Sequence, residues 1–94
     1  MFNNKRYISR GVNDSIPLEL QLFMWTCIDQ LPEERDNLQI FTLEQVGTMQ
    51  SITHMQEQPE YKKVYLIQSE KPIVEKIYAI DDSTHSTMLL SSEY

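Results

Sequence analysis

The chain has 94 residues, of which 40% are apolar and 23% charged, and it carries a net charge of −6. This size and composition predict one folded domain over residues 1–94, and the acidic balance argues against nucleic-acid binding, which depends on neutralising phosphates. The longest apolar run, residues 22–25, is far shorter than the roughly 20 residues that cross a bilayer, which argues against a membrane protein.

The first predicted element is a strand at residues 7–12, where alternation puts Ile8 and Val12 on one face, followed by a turn at 11–14. The charged side chains of the first ten residues are all basic: Lys5, Arg6 and Arg10. They could form a basic arm on an acidic body. We favour an edge strand whose charges face water and discourage pairing with other chains.

Residues 17–31 predict the main helix, of about four turns. Asp14 or Ser15 can cap its N-terminus, Pro17 suits its first turn because the missing N–H costs nothing there, and Pro32 ends it.

Apolar side chains cover more than half of the circumference of this predicted helix. We expect Leu18, Leu22 and Trp25, which are spaced four and three residues apart, to face the sheet. One sheet face cannot cover so wide an apolar arc. Either loops wrap the flanks of the helix, or part of the arc meets another chain.

After a charged turn at residues 32–37, the sequence alternates β-branched, aromatic and polar residues, which is typical of strands. Short connections between the strands favour antiparallel neighbours. The sequence therefore predicts an α+β fold with one long helix packed on a mixed, mainly antiparallel sheet, in the order β-α-β-β-β-β(-β). The predicted later strands are residues 38–44, 49–57, 61–67, 75–81 and 85–90.

Four segments of the chain carry a resemblance to a known family: RYISRGV at 6–12, IPLELQLFMW at 16–25, PEYKK at 59–63, and IDD with HSTMLL at 80–90. Together they resemble the domain of unknown function 960 family over nearly the whole chain. That family occurs in staphylococci and related Gram-positive bacteria, so the resemblance implies a bacterial cytoplasmic protein. It implies no activity, ligand or site residue.

Cys27 is the single cysteine and could act as a nucleophile with His54 or His85 as base. Reactive thiolates lie at helix N-termini or beside cations, whereas Cys27 lies in the apolar last third of the predicted helix. We therefore expect a buried and unreactive thiol. A lone cysteine and the absence of a secretory signal pattern at the N-terminus favour the cytoplasm.

Asp81, Asp82 and His85 place three metal-type side chains within five residues. The residues that follow, 88–90, predict a strand, which cannot wrap an ion. A turn at 82–84, with short side chains bonding the local backbone, explains the pattern better, so we expect no metal.

Two further patterns argue against a catalytic site. The chain has two glycines, Gly11 and Gly47, so no glycine-rich loop can surround a phosphate. We therefore expect no nucleotide or other cofactor. His54 lies within a predicted strand, where we expect an ordinary half-exposed side chain.

Alternation along the strands predicts which side chains share a face of the sheet. If Ile8, Val64, Leu66, Ile77 and Ala79 face the helix, tyrosines and lysines share the opposite face. That set is Tyr7, Lys63, Tyr65, Lys76 and Tyr78.

Two functional hypotheses follow from these patterns. The first is a non-enzymatic module that binds another protein, or a second copy of itself, through the tyrosine and lysine face or the surplus apolar arc of the helix. The alternative is a small-ligand hydrolase or transferase with its site near Asp82, His85 and the end of the sheet, with Asp81 as a further candidate. A histidine with a perturbed pKa in a pocket would favour the alternative.

Overall fold

A computed structural model describes residues 1–32 and 34–94, which form two helices and one sheet. The strand predictions after the main helix are confirmed, two of them to the residue. Glu33 of the predicted charged turn lies outside the described residues. The elements are β1 (Lys5–Ile8), α1 (Arg10–Ser15), α2 (Leu18–Asp29), β2 (Leu38–Val46), β3 (Met49–Gln56), β4 (Tyr61–Gln68), β5 (Glu75–Asp81) and β6 (His85–Leu90), then a 3-10 turn at Ser91–Glu93.

The six strands lie in the order β1-β6-β5-β2-β3-β4. β1 runs parallel to β6, and every other pair of neighbours is antiparallel. The predicted α+β class and the mixed, mainly antiparallel sheet are therefore confirmed. β1, which carries Lys5 and Arg6, is an edge strand, as its basic charges suggested. Within the described residues, neither helix has the length and apolar character of a membrane span.

The prediction of a strand over residues 7–12 is wrong beyond Ile8, because a second helix, α1, begins at Arg10. Ser9 ends the strand and caps this helix: its hydroxyl accepts a hydrogen bond from the N–H of Val12 at 3.1 Å. Gly11 lies so close to the C-terminal turn that a Cβ there would come within 2.7 Å of Glu93 Oε1. The Glu93 carboxylate also accepts from the N–H of Gly11.

The predicted main helix corresponds to α2, which is shorter than 17–31. Its expected caps are wrong, because Asp14 and Ser15 belong to α1, and the N-cap position of α2 is Pro17, which makes no side-chain capping bond.

The face of α2 is partly as predicted. Trp25 is buried, but Leu18 and Leu22 are 66% and 57% exposed, so their predicted contact with the sheet is wrong. Met24 and Ile28 form the centre of the buried seam. At about 100° per residue, Leu22 lies about 160° around the helix from Met24, on its outer side.

Both helices pack on the same face of the sheet, where they meet the buried strand residues Phe41, Leu43, Ile52, Ile77 and Met88. Arg6, from β1, lies over the Trp25 ring on this side and forms an ion pair with Asp29. We call this side of the sheet the helix side.

The N-terminal segment closes the core beside the helices. Phe2 is 1% exposed and adopts a φ of 63°, a left-handed conformation that is costly for a non-glycine residue. The buried Asp81 carboxylate holds it there, accepting from the Phe2 N–H at 2.6 Å and from the Asn4 side chain at 3.0 Å. The ring of Phe2 thus completes the core at the end of β5.

We expect Phe2→Ala to lower the free energy of unfolding by about 3–5 kcal/mol, because it removes a fully buried ring and leaves a cavity. Asn3→Ala is the matched control, since Asn3 is exposed and its truncation should change stability by less than about 0.5 kcal/mol. Urea unfolding followed by tryptophan fluorescence measures both. Equal effects of the two substitutions would contradict the role of Phe2.

Candidate protein-binding surface

The face of the sheet opposite the helices bears many apolar side chains. We call this side the open face. The ring of Tyr94, at the C-terminus, stands edge-on to Tyr78 on this face. The neighbouring loops and the N-terminus instead make their contacts on the helix side, through Asp36, Ile73 and Asp81. The apolar members of the open face are Tyr7, Leu38, Ile40, Val46, Met49, Met55, Val64, Leu66, Tyr78, Ile80 and Leu89.

Strand register fixes these positions. Ile40 pairs with Tyr78 on one side and with Met55 on the other, and Tyr78 pairs in turn with Leu89. Paired residues point to the same face of a sheet, so these four side chains form one apolar row across the central strands. They are half-buried by one another, whereas Val64 and Leu66 on the edge strand β4 are 54% and 53% exposed.

The predicted tyrosine and lysine face is divided between the two sides of the sheet. Tyr7, Lys76 and Tyr78 lie on the open face as predicted. Lys63 and Tyr65 lie on the helix side, so their predicted placement is wrong.

The register of β4 explains this correction. Tyr65 pairs with the fully buried Ile52, and its ring meets Phe23 of α2 edge-on, with centroids 5.1 Å apart. Val64 and Leu66 therefore point away from the helix, which reverses their predicted placement as well. Of the residues predicted to face the helix, Ile77 and Ala79 are buried as expected.

Tyr65 and Cys27 lie together under α2. Cys27 is buried, as predicted, and burial raises the pKa of its thiol, although the Tyr65 hydroxyl and nearby Lys63 act in the opposite direction. Burial, together with the proximity of Cys27 and Tyr61, raises the pKa of Tyr65 to about 12. Both groups are therefore protonated at neutral pH, so the thiol is not poised as a nucleophile.

The alternative site near the β5–β6 turn does not assemble from its three predicted residues. Asp81 points to the helix side, where the Phe2 and Ser83 N–H groups and the Asn4 amide occupy its carboxylate. Burial alone raises the pKa of Asp81, but these donors hold it below its usual value.

Asp82 and His85 do meet, with Nε2 of His85 at 3.4 Å from the Asp82 carboxylate. The N–H of His85, with the hydroxyl and N–H of Thr84, lowers the pKa of Asp82 to about 2. These are the bonds of an exposed turn, as the sequence predicted. Across residues 1–32 and 34–94, no three metal-type side chains gather at one point.

His54 is fully buried, so the prediction of a half-exposed histidine is wrong. Its ring stacks on Phe41 at 4.4 Å between centroids, and its Nε2 lies 2.7 Å from the side-chain oxygen of Gln39. Its Nδ1 has no hydrogen-bond partner among the described residues. Burial lowers the pKa of His54 to about 4, so the ring is neutral at pH 7.

The strand positions of the open face also carry an unusual balance of charge for this acidic chain. Lys5, Lys62 and Lys76 share it with one acidic residue, Glu44, while the chain has 14 acidic residues in all. The Lys76 ammonium lies 5.7 Å from the centre of the Tyr78 ring, within the range of a cation–π contact. The open face is thus apolar and weakly basic on an acidic protein.

Sequence patterns missed Ile40, Met55, Val64, Leu66 and Leu89 as surface residues. A signal was present in β4, where Val64 and Leu66 alternate with Tyr65 and Ile67, so that both faces of the strand are apolar. A strand with two apolar faces is buried on both sides or leaves one of them uncovered.

Comparisons with known proteins agree with this fold. The family model described as "Staphylococcal protein of unknown function (DUF960)" matches residues 5–93. The chain is also similar to a protein of unknown function from Enterococcus faecalis in its crystal structure, with 25% sequence identity and a TM-score of 0.83, over 98% of this chain and 92% of that one. No curated protein matches the chain.

We expect the free energy of unfolding to fall as the pH drops from 6.5 to about 4, because His54 binds a proton in the unfolded chain before it can do so in the folded one. The loss reaches about 3 kcal/mol at most, from a pKa difference of roughly 2.5 units. Urea unfolding at several pH values measures it.

His85 supplies the control for this prediction, since it is the other histidine and is half-exposed. His54→Gln should remove most of the pH dependence in this range, whereas His85→Gln should retain it. A wild-type protein that is equally stable at pH 7 and pH 4.5 would contradict the buried neutral ring.

We expect a thiol reagent to label native Cys27 at least about 100-fold more slowly than the unfolded chain, because the buried thiol reacts only when the structure opens. Thiol absorbance assays with and without urea measure the two rates. In the control, Thr26→Cys combined with Cys27→Ala moves the thiol to the adjacent exposed position, which should be labelled rapidly in the native state. Equally rapid labelling of native Cys27 would overturn its assignment to the core.

Proposed function

We propose a protein-binding function for this chain, which belongs to the family of staphylococcal proteins of unknown function, DUF960. The observation that carries the proposal is the apolar row of Leu89, Tyr78, Ile40 and Met55 on the open face of a sheet whose other face is covered by both helices. Contiguous apolar surface of more than a few hundred Å² is uncommon on monomeric proteins and marks binding surfaces.

The composition of the open face supports a protein partner. Tyr78 and Tyr7 supply large rigid rings with polar ends, which are enriched in protein interfaces. Ile40 and Met55 provide the apolar centre, and Met55 can adapt its shape to a partner. The face has few acidic groups, so it suits a partner surface that is largely apolar.

The apolar arc of α2 is the weaker candidate for the same role. Leu18 and Leu22 are exposed, but Glu19, Thr26 and Asp29 surround them on the outer surface of the helix. Two neighbouring leucines on an otherwise polar helix surface form only a small apolar patch, which is ordinary and requires no partner. The proposed binding surface is therefore the open face.

The proposed role is non-enzymatic. Its support is that Asp81 binds the N-terminal segment and does not converge with Asp82 and His85, and that the Cys27 thiol is protonated and buried. The bacterial cytoplasm is the proposed compartment, supported by the single cysteine and the staphylococcal family. Nucleic acid and membrane are not among the proposed partners, since the chain is acidic overall.

Photo-crosslinking in bacterial cells tests this proposal. A benzophenone amino acid replaces Val64 on the open face or, as a control of similar exposure, Leu22 on the outer side of α2. We expect discrete protein adducts from position 64 and few from position 22, and we expect Tyr78→Glu to reduce the adducts at position 64.

Comparison of the two positions distinguishes specific binding at the open face from nonspecific crosslinking. An absence of adducts at position 64, or the same adducts from both positions, would contradict a binding role for the open face. Circular dichroism of each variant confirms that the chain is folded before the adducts are compared.

A further inference from the structure

We infer that the occupant of the open face is a second copy of this chain, packed sheet against sheet about a two-fold axis. This inference rests on the proposed binding role of the open face and names the partner. Isologous two-fold dimers are by far the commonest oligomers, and stacked sheets pack well at about 10 Å with their strands within about 30° of each other.

The area of the open face is sufficient for such a dimer. Six strands about 4.8 Å apart and about seven residues long give a face of roughly 550 Å². Two such faces would bury roughly 1,100 Å² between them if they met over their whole extent, which is just above the minimum of roughly 1,000 Å² for a specific interface. A single helix or peptide, about 10 Å wide, would leave more than half of this width uncovered.

The distribution of side chains on the face matches that of an interface between two folded surfaces. Ile40 and Tyr78 lie on the two central strands of the sheet, β2 and β5. Lys5 and Lys62 lie on the edge strands, β1 and β4, where they would reach water at the rim. Lys76 and Glu44 lie on the central strands, but toward one end of the sheet from the row of Ile40 and Tyr78. Apolar residues at the centre with charges around them are typical of stable interfaces.

Charge limits which faces of two copies can meet. Each copy carries a net charge of −6, so two copies repel each other at long range. The open face has three lysines and a single acidic residue, Glu44, among its strand positions, so contact through it keeps most acidic groups apart, while it brings the lysines of both copies to the same interface. Contact through α2 would instead bring Glu19 of each copy close to the other copy's acidic surface.

Edge-to-edge pairing of β4 is the other route to a dimer, and its own sequence opposes it. Lys62 and Lys63 lie side by side on this strand, and lysines on an edge strand discourage pairing with another strand. The exposed side chains of Val64 and Leu66 point to the open face and do not lie along the hydrogen-bonding edge of the strand. Face-to-face packing covers these two side chains.

Sedimentation equilibrium of the full chain tests the inference. We expect a dimer of twice 11.1 kDa for the wild type at micromolar concentrations. Tyr78→Glu and Val64→Glu should each weaken dimerisation at least about tenfold in Kd, because each buries a carboxylate in the apolar contact. Leu22→Glu, which adds the same charge to an equally exposed site on α2, should change Kd by less than about threefold.

Each other outcome overturns the inference in a recognisable way. A wild-type chain that is monomeric at millimolar concentration excludes the dimer. In that case the crosslinked adducts with other proteins at position 64 alone decide whether the open face has a binding role. A dimer that is lost in Val64→Glu and kept in Tyr78→Glu points to pairing of the β4 edge, since Tyr78 lies three strands away. If Tyr78→Glu fails to fold, Tyr78→Gln takes its place. A dimer Kd that equals the wild-type value in both Tyr78→Gln and Val64→Glu would overturn the inference.

Discussion

A helix of 12 residues is about 18 Å long and about 10 Å wide, so it covers less than one face of a six-stranded sheet. α1 adds only six residues more. With so little helix, the chain can cover one face of its sheet completely or both faces poorly. The structure places both helices on one face, and the open face follows from that choice.

The rest of the covered face is filled by segments that are not helical. Phe2 reaches the core because Asp81 accepts its N–H, and this contact holds the N-terminus over the end of β5. At the opposite end, Gln50 binds both the N–H and the carbonyl of Ile73, which holds the β4–β5 loop against the helix side. Both of these contacts hold an apolar segment of the chain against the covered face.

The sequence predicted the elements well and the faces less well, for physical reasons. Strands were found because alternation and turn residues are local signals. The α1 helix was missed because the spacing of Ile8 and Val12 fits a strand, and because the contact of Glu93 with Gly11 joins residues 82 positions apart. β4 was placed with the wrong face inward because Val64 with Leu66, and Tyr65 with Ile67, are equally plausible as a buried pair. The burial of His54 could not be predicted, because it depends on stacking with Phe41, a contact that forms only when β2 pairs with β3.

Apolar side chains occupy both faces of the sheet, but the helix side has the larger share of them, since Thr42, Glu44, Ser51 and Thr53 lie on the open face. Buried polar side chains reinforce this difference between the faces. Gln39 donates to the carbonyl of Asp36 and to Gln56, and Gln56 donates to the carbonyl of Pro59, so both glutamines have partners only on the helix side. A shift of one residue in β2 or β3 would turn these amides to the open face and leave their partners unpaired, at a cost of about 1–3 kcal/mol for each buried group. The same shift would also turn Thr42 and Glu44 of β2, or Ser51 and Thr53 of β3, into the core, so these amides and the apolar pattern together leave Ile40 and Met55 on the open face.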